Sequence, residues 1–109
     1  MYLPNKIFVE PDVTVKPLAP WRLNLLTVAD YIERNGWCQN RYNDGHKVCI
    51  LGALEKISGN PIGFNGEVDH LSRFLNLCGN SVHEWNDRPE RTKEEVLSAL
   101  RNCAKEKEK

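Results

Sequence analysis

Four stretches of this chain repeat apolar residues at three- and four-residue intervals, and most end at a glycine-bearing stop. That interval places the apolar groups on one face of a helix. Between Trp21 and Asn35 the face is Leu25, Val28, Ala29 and Ile32, with Leu26 beside it and Gly36 where a helix is closed. Pro20 stands just before it, where the missing N–H costs nothing. The second stretch runs from about Cys49 to Ile57 on Ile50, Ala53, Leu54 and Ile57, and ends at Ser58-Gly59-Asn60-Pro61. After the loop Gly63-Phe64-Asn65-Gly66, the third carries Val68, Leu71, Leu75 and Cys78, with Phe74 beside them and Gly79 as its stop. The last opens with Thr92-Lys93-Glu94-Glu95, a capping box, and buries Val96, Leu97, Leu100, Cys103 and Ala104. The fold expected is mainly α: a compact four-helix single domain.

The connections add detail. Tyr42 and Val48 flank Asn43-Asp44-Gly45, a turn signal that allows a short β-hairpin near residues 37–49, or an irregular loop. Ser81 to Pro89 reads as irregular or a single helical turn. Residues 1–20 hold prolines 4, 11, 17 and 20, which block a helix and predict an extended N-terminal arm. Its Ile7-Phe8-Val9 is too apolar for a solvated tail, so Phe8 and Val9 are candidate contact residues. The domain then spans residues 21–104, and residues 105–109 form a charged tail. A chain of 109 residues has room for one core.

Fifteen Lys and Arg balance fifteen Asp and Glu, so the field expected of a sequence-independent nucleic-acid binder is missing. Arg88, Arg91, Lys93 and Arg101 interleave with Glu90, Glu94 and Glu95, which reads as a solvated mixed-charge face. A helical nucleic-acid-binding module built on the last two helices runs against this balance. The N-terminus has no apolar run of signal-peptide length and no segment approaches a membrane span, so a cytoplasmic protein without membrane association is expected. The four cysteines, at 38, 49, 78 and 103, include no C-x-x-C pair and read as free thiols. No phosphate loop or cofactor fingerprint occurs, so no cofactor is expected.

Three segments carry a resemblance: Gly36-Trp37-Cys38-Gln39, Val48-Cys49-Ile50-Leu51-Gly52-Ala53-Leu54, and Trp85-Asn86-Asp87-Arg88-Pro89 running into Arg91-Thr92. Together they resemble an uncharacterised family of small bacterial and phage proteins marked by GWCQ, VCxxGAL and WNDRPxRT segments, over residues 21–104. The resemblance implies a fold unit and no mechanism.

The residues themselves allow several chemistries. Cys49 starts a helix, where unpaired N–H groups favour a thiolate nucleophile. His46, His70 or His83 would be its base, and Asn86 or Asp87 the orienting group. The bland alternative is that Cys49 and Cys38 are small core residues. Cys38, His46 and Cys49 also form a weak candidate for a metal site, although C-x7-H-x2-C is not a common zinc pattern. Trp37 and Trp85 are read first as rings packed on the core whose N–H groups find carbonyls, and second as anchors for a partner. Asn86 and Asp87 are read as fixing a turn by accepting from N–H groups two or three residues on, and Arg88 or Arg91 as pairing with Asp87 or else clamping a carboxylate or phosphate of a ligand. Gly52 inside a helix implies close approach of a neighbouring helix. The function expected on balance is that of a small non-enzymatic interaction or accessory protein with a protein partner. A Cys49 enzyme is the alternative.

Overall fold

The computed structural model of the protein describes residues 19–77 and 81–106. Five helices form among them: α1 (Pro20–Asn35), α2 (Ile50–Ser58), α3 (Glu67–Phe74), α4 (Val82–Asn86) and α5 (Lys93–Lys105). Two short strands, β1 (Asn43–Asp44) and β2 (Lys47–Val48), join α1 to α2 as an antiparallel hairpin. The domain is thus mainly helical, with one more helix than the four stripes predict. The addition is α4, where a single turn was one expectation.

Helix α1 is central and packs against α5, α2 and α3. Leu25, Val28, Ala29 and Ile32 have no exposure, as the spacing requires. Ile50 and Leu54 of α2, Leu71 of α3, Val82 of α4, and Val96 and Leu100 of α5 are sealed with them. Each such side chain contributes roughly 2 kcal/mol by leaving water. Pro20 is the first residue of α1, inside the helix. At that end of the molecule Arg22 donates to the Ala104 and Glu106 carbonyls at 2.8 and 2.5 Å, placing a cation where the α5 dipole is negative. The Thr92–Glu95 capping box forms in both directions at the other end of α5.

Helix α3 ends at Phe74, short of the Cys78–Gly79 stop. The cause is Asn76, which takes φ 59°, while Leu77 N–H reaches back to the Ser72 carbonyl at 2.9 Å. Asparagine tolerates this left-handed conformation better than most residues and can close a helix where glycine is the commoner choice. Cys78 and Gly79 lie outside the described residues, as do the arm through residue 18 and the last three of the tail.

The hairpin pairs Asn43 with Val48 and Asp44 with Lys47 around Gly45-His46. Gly45 has φ 77°, as a two-residue turn with glycine first requires. Val48 also pairs with Trp37 as a parallel bridge, so the segment after α1 lies along the hairpin's second strand.

Candidate functional site

The GWCQ, VCxxGAL and WNDRPxRT segments meet around one buried side chain. Asn86 closes α4 and is 1% exposed. Its Oδ1 accepts from Trp37 Nε1 at 2.8 Å and from the Ile50 N–H, at the start of α2, at 3.3 Å. Its Nδ2 donates to the Cys38 carbonyl at 3.3 Å and to Asp87 Oδ1 at 2.8 Å. All four capacities of a primary amide are met in this way. Gln39 Nε2 adds bonds to the Asn86 and Arg88 carbonyls at 3.1 and 2.6 Å, and Asp87 Oδ1 accepts from the Asn40 N–H at 2.8 Å.

These contacts revise the sequence reading of the motifs. Asn86 and Asp87 do not fix a turn two or three residues on; they tie α4 to the α1–β1 connection and to α2. Trp37 does seek an oxygen for its N–H, but a side-chain amide supplies it. Trp85 is half-buried, with the Arg91 guanidinium 3.9 Å above its ring. Arg91 also donates to the Trp85 carbonyl at 2.9 Å and pairs with Glu95 at 3.6 Å, so it does not pair with Asp87. Arg101 bridges Asp30 and Glu33 at 3.0 and 2.5 Å, and Lys93 reaches the Glu33 carbonyl at 3.4 Å. Arg88 is exposed.

Gly52 is required for a different neighbour from the one expected. A Cβ there would fall on the Tyr42 carbonyl, 2.7 Å from its carbon, so the close approach is by the backbone leading into the hairpin and not by a helix. The same Tyr42 carbonyl accepts the Cys49 N–H at 3.1 Å.

On the outer side of this network lies a cleft of about 520 Å³, lined by Asn40, Arg41, Tyr42, Cys49, Leu51, Pro61, Ile62, His83 and Asp87. Clefts of this size suit a small ligand or a side chain of a partner. Three candidates for cysteine chemistry, Cys49, His83 and Asp87, therefore share one wall system. His46 does not: it is exposed in the hairpin turn and is not among the lining residues. His70 lies elsewhere too, stacked on Trp21 with ring centroids 3.7 Å apart.

The Cys49 thiol is occupied as the N-cap of α2. Its Sγ accepts from the Gly52 N–H at 3.3 Å. Burial raises its pKa, the bonds from Gly52 and Leu51 lower it, and the charge of Asp87 raises it; the outcome lies above the ordinary thiol value. The helix N-terminus does not prevail because a sulfur this buried loses more hydration than the amides restore. Cys38 is half-buried and raised as well, first by burial and then by the neighbouring Cys49. Among the described residues no three His, Cys, Asp or Glu side chains gather to hold a metal ion, which leaves the Cys38, His46, Cys49 set without its geometry. Phe8 and Val9 lie outside the described residues.

Several cleft residues escaped the sequence reading: Tyr42, Leu51, Pro61 and Ile62. Ile62 is 53% exposed and its neighbour Phe64 70%, and the readable signal was two large apolar residues inside a loop of turn formers. A buried carboxylate escaped it as well. Glu67, the first residue of α3, has no exposure; it accepts from Asn24 Nδ2 and, at 2.9 Å, from the Asn65 N–H. Burial acts to raise its pKa, but these donors outweigh it and hold the carboxyl below the ordinary glutamate value.

Among the described residues no helix is long and apolar enough to cross a membrane. No curated protein and no solved structure matches the chain. A family model described as a family of unknown function (DUF6197) matches residues 20–106, which takes in α1 through α5 and the whole Asn86 network. With well over half of its length covered by that model, the chain belongs to this family of unknown function.

Proposed function

We propose that the protein is a small non-enzymatic interaction domain that takes an apolar side chain of a protein partner into the cleft between residues 40–42, the start of α2, α4 and the Pro61-Ile62 loop. The observation that carries this reading is the character of the cleft mouth. Tyr42 and Ile62 are 44% and 53% exposed there, over a floor that includes Leu51. Arg41, His83 and Asp87 ring it with polar groups. An apolar centre with a polar rim is the usual anatomy of a protein-binding site. Trp37 and Asn86 serve the domain's own closure in this reading and are not partner contacts, whereas Asp87 both joins that closure and faces the cleft. Arg88, being exposed, remains available to a partner, and Phe8 and Val9 of the arm supply a second contact. The reading places the domain among cytoplasmic accessory proteins of bacterial or phage origin, in keeping with its free thiols at Cys38, Cys49 and Cys103.

The test is a full-length chain carrying a photo-crosslinking side chain at position 64, compared with the same chain bearing Ile62→Asp and with one lacking residues 1–18. A partner that crosslinks to the first, is lost with Ile62→Asp and is weakened by the truncation supports the reading. Equal crosslinking of the Ile62→Asp chain, with unchanged circular dichroism, overturns it.

A second reading, a cysteine-dependent enzyme, is favoured by one observation: Cys49, His83 and Asp87 line the same cleft. It requires rapid alkylation of Cys49 by iodoacetamide at neutral pH, while the N-cap bond and the raised pKa predict slow reaction.

A further inference from the structure

Cys38 and Cys49 each stand one residue beyond the bridged pair Trp37 and Val48. The Trp37–Val48 bridge is parallel, with the Cys38 N–H donating to the Val48 carbonyl at 3.0 Å and the Val48 N–H to the Gly36 carbonyl at 3.1 Å. The next residue on one segment is Cys38 and on the other Cys49, which is still extended at φ −88°, ψ −179°. Neighbouring strands run about 4.8 Å apart, and one step beyond a parallel pair both side chains leave the same face. That separation falls within the range of about 4.4–6.8 Å between Cα atoms that a disulfide spans. The two sulfurs differ in access. Cys38 is half-buried and its thiol donates to the Arg41 carbonyl at 3.5 Å, whereas Cys49 is 4% exposed. A more accessible thiol beside a shielded one is the arrangement of an attacking and a resolving cysteine.

We propose that Cys38 and Cys49 form a dithiol site that low-molecular-weight disulfides, such as glutathione disulfide, oxidise to an intramolecular Cys38–Cys49 bond. The Cys38 thiol gives its proton to water, and the thiolate attacks one sulfur of glutathione disulfide. The S–S bond of the small molecule breaks, and one glutathione leaves as thiolate and takes up a proton. Cys49, deprotonated in turn, attacks the Cys38 sulfur of the mixed disulfide and expels the second glutathione. The two protein thiols lose two electrons, and the small disulfide gains them as two thiols. The product staples the segment after α1 to the N-cap of α2 and so stiffens one wall of the cleft. Because burial and the neighbouring Cys49 raise the Cys38 thiol, the exchange rate increases with pH.

The experiment uses the full-length chain, reduced and then equilibrated with glutathione and glutathione disulfide at several ratios, acid-quenched, alkylated and mapped by mass spectrometry without reduction. The expected result is a linked peptide pair containing Cys38 and Cys49, two hydrogens lighter than the sum of the two reduced peptides, and full reversal by dithiothreitol. Cys49→Ser is expected to retain glutathione on Cys38, and Cys38→Ser to leave Cys49 free. A wild-type chain that keeps glutathione on Cys38 beside an alkylated Cys49, links either residue to Cys78 or Cys103 instead, or stays fully reduced at the most oxidising ratio overturns the proposal. The wild-type map decides the matter even where a variant fails to fold.

Discussion

The side-chain oxygen of Asn86 lies 2.8 Å from the indole nitrogen of Trp37, joining residues 49 positions apart in the chain. The same oxygen takes the Ile50 N–H, so one amide holds the α1–β1 connection, the start of α2 and the end of α4 in a single arrangement. Three sequence segments that look like separate motifs are thereby parts of one joint.

Asn86→Ala removes both acceptor and donor and leaves the buried Ile50 N–H and the part-buried Trp37 N–H without this partner. Stranding buried donors costs about 1–3 kcal/mol each, so a loss of roughly 2–4 kcal/mol in unfolding free energy is expected. Urea denaturation followed by Trp fluorescence measures it, and a change under about 0.5 kcal/mol, the range of an ordinary surface substitution, contradicts the joint.

Gly52→Ala tests the sign of a substitution. In an open helix the change stabilises by about 1 kcal/mol. Here the new methyl group collides with the Tyr42 carbonyl, and backbone cannot turn aside as a side chain can. Destabilisation by about 1–3 kcal/mol is expected, with the hairpin amides losing hydrogen-exchange protection first. A rise in the urea midpoint would show that the hairpin gives way freely.

Glu67 makes stability depend on acid. Its folded pKa lies below the ordinary value of 4.5, so the unfolded chain takes up the proton first as the pH falls. The stabilisation is fully present above about pH 4.5, declines as the pH drops through the folded pKa, and is gone below it. Glu67→Gln should flatten this acid limb in denaturation curves collected between neutral pH and pH 3 and lose stability at neutral pH, where the Asn24 and Asn65 donors no longer meet a charge. An acid limb of unchanged slope in the variant assigns it to other carboxylates.

Cys103 should be inert in the folded protein. It is 1% exposed, and burial, followed by the charge of Glu106, pushes its thiol up to about 11. Peptide mapping after timed alkylation at pH 8 should find Cys38 modified well before Cys103, with Cys103 reacting at the rate of global unfolding. Prompt labelling of Cys103 would mean that the last turns of α5 open locally.

Much of the architecture is legible in the sequence. The faces of α1, α2 and α5 and the Thr92–Glu95 box are local patterns, in which each residue is judged against others three or four positions away. Where a local signal was ambiguous the reading slipped by a few residues: Asn76, not Gly79, governs the end of α3 because side chain and backbone there accept a left-handed turn early. Candidate site residues were legible by type only. Cys49, His83 and Asp87 do share a cleft, but His46 is not among its lining residues, and no spacing rule separates them.

Periodicity, caps and turn formers are properties of neighbours in the chain, and they alone decided that this protein is helical, where most helices begin, and which faces go inward. What Asn86, Gly52 and Glu67 are for was decided by contacts across 49, 10 and 43 positions, with Trp37, Tyr42 and Asn24. A hydrogen bond or a steric clash depends on distance in space, and distance in space between remote segments exists only once the apolar faces have closed over one another.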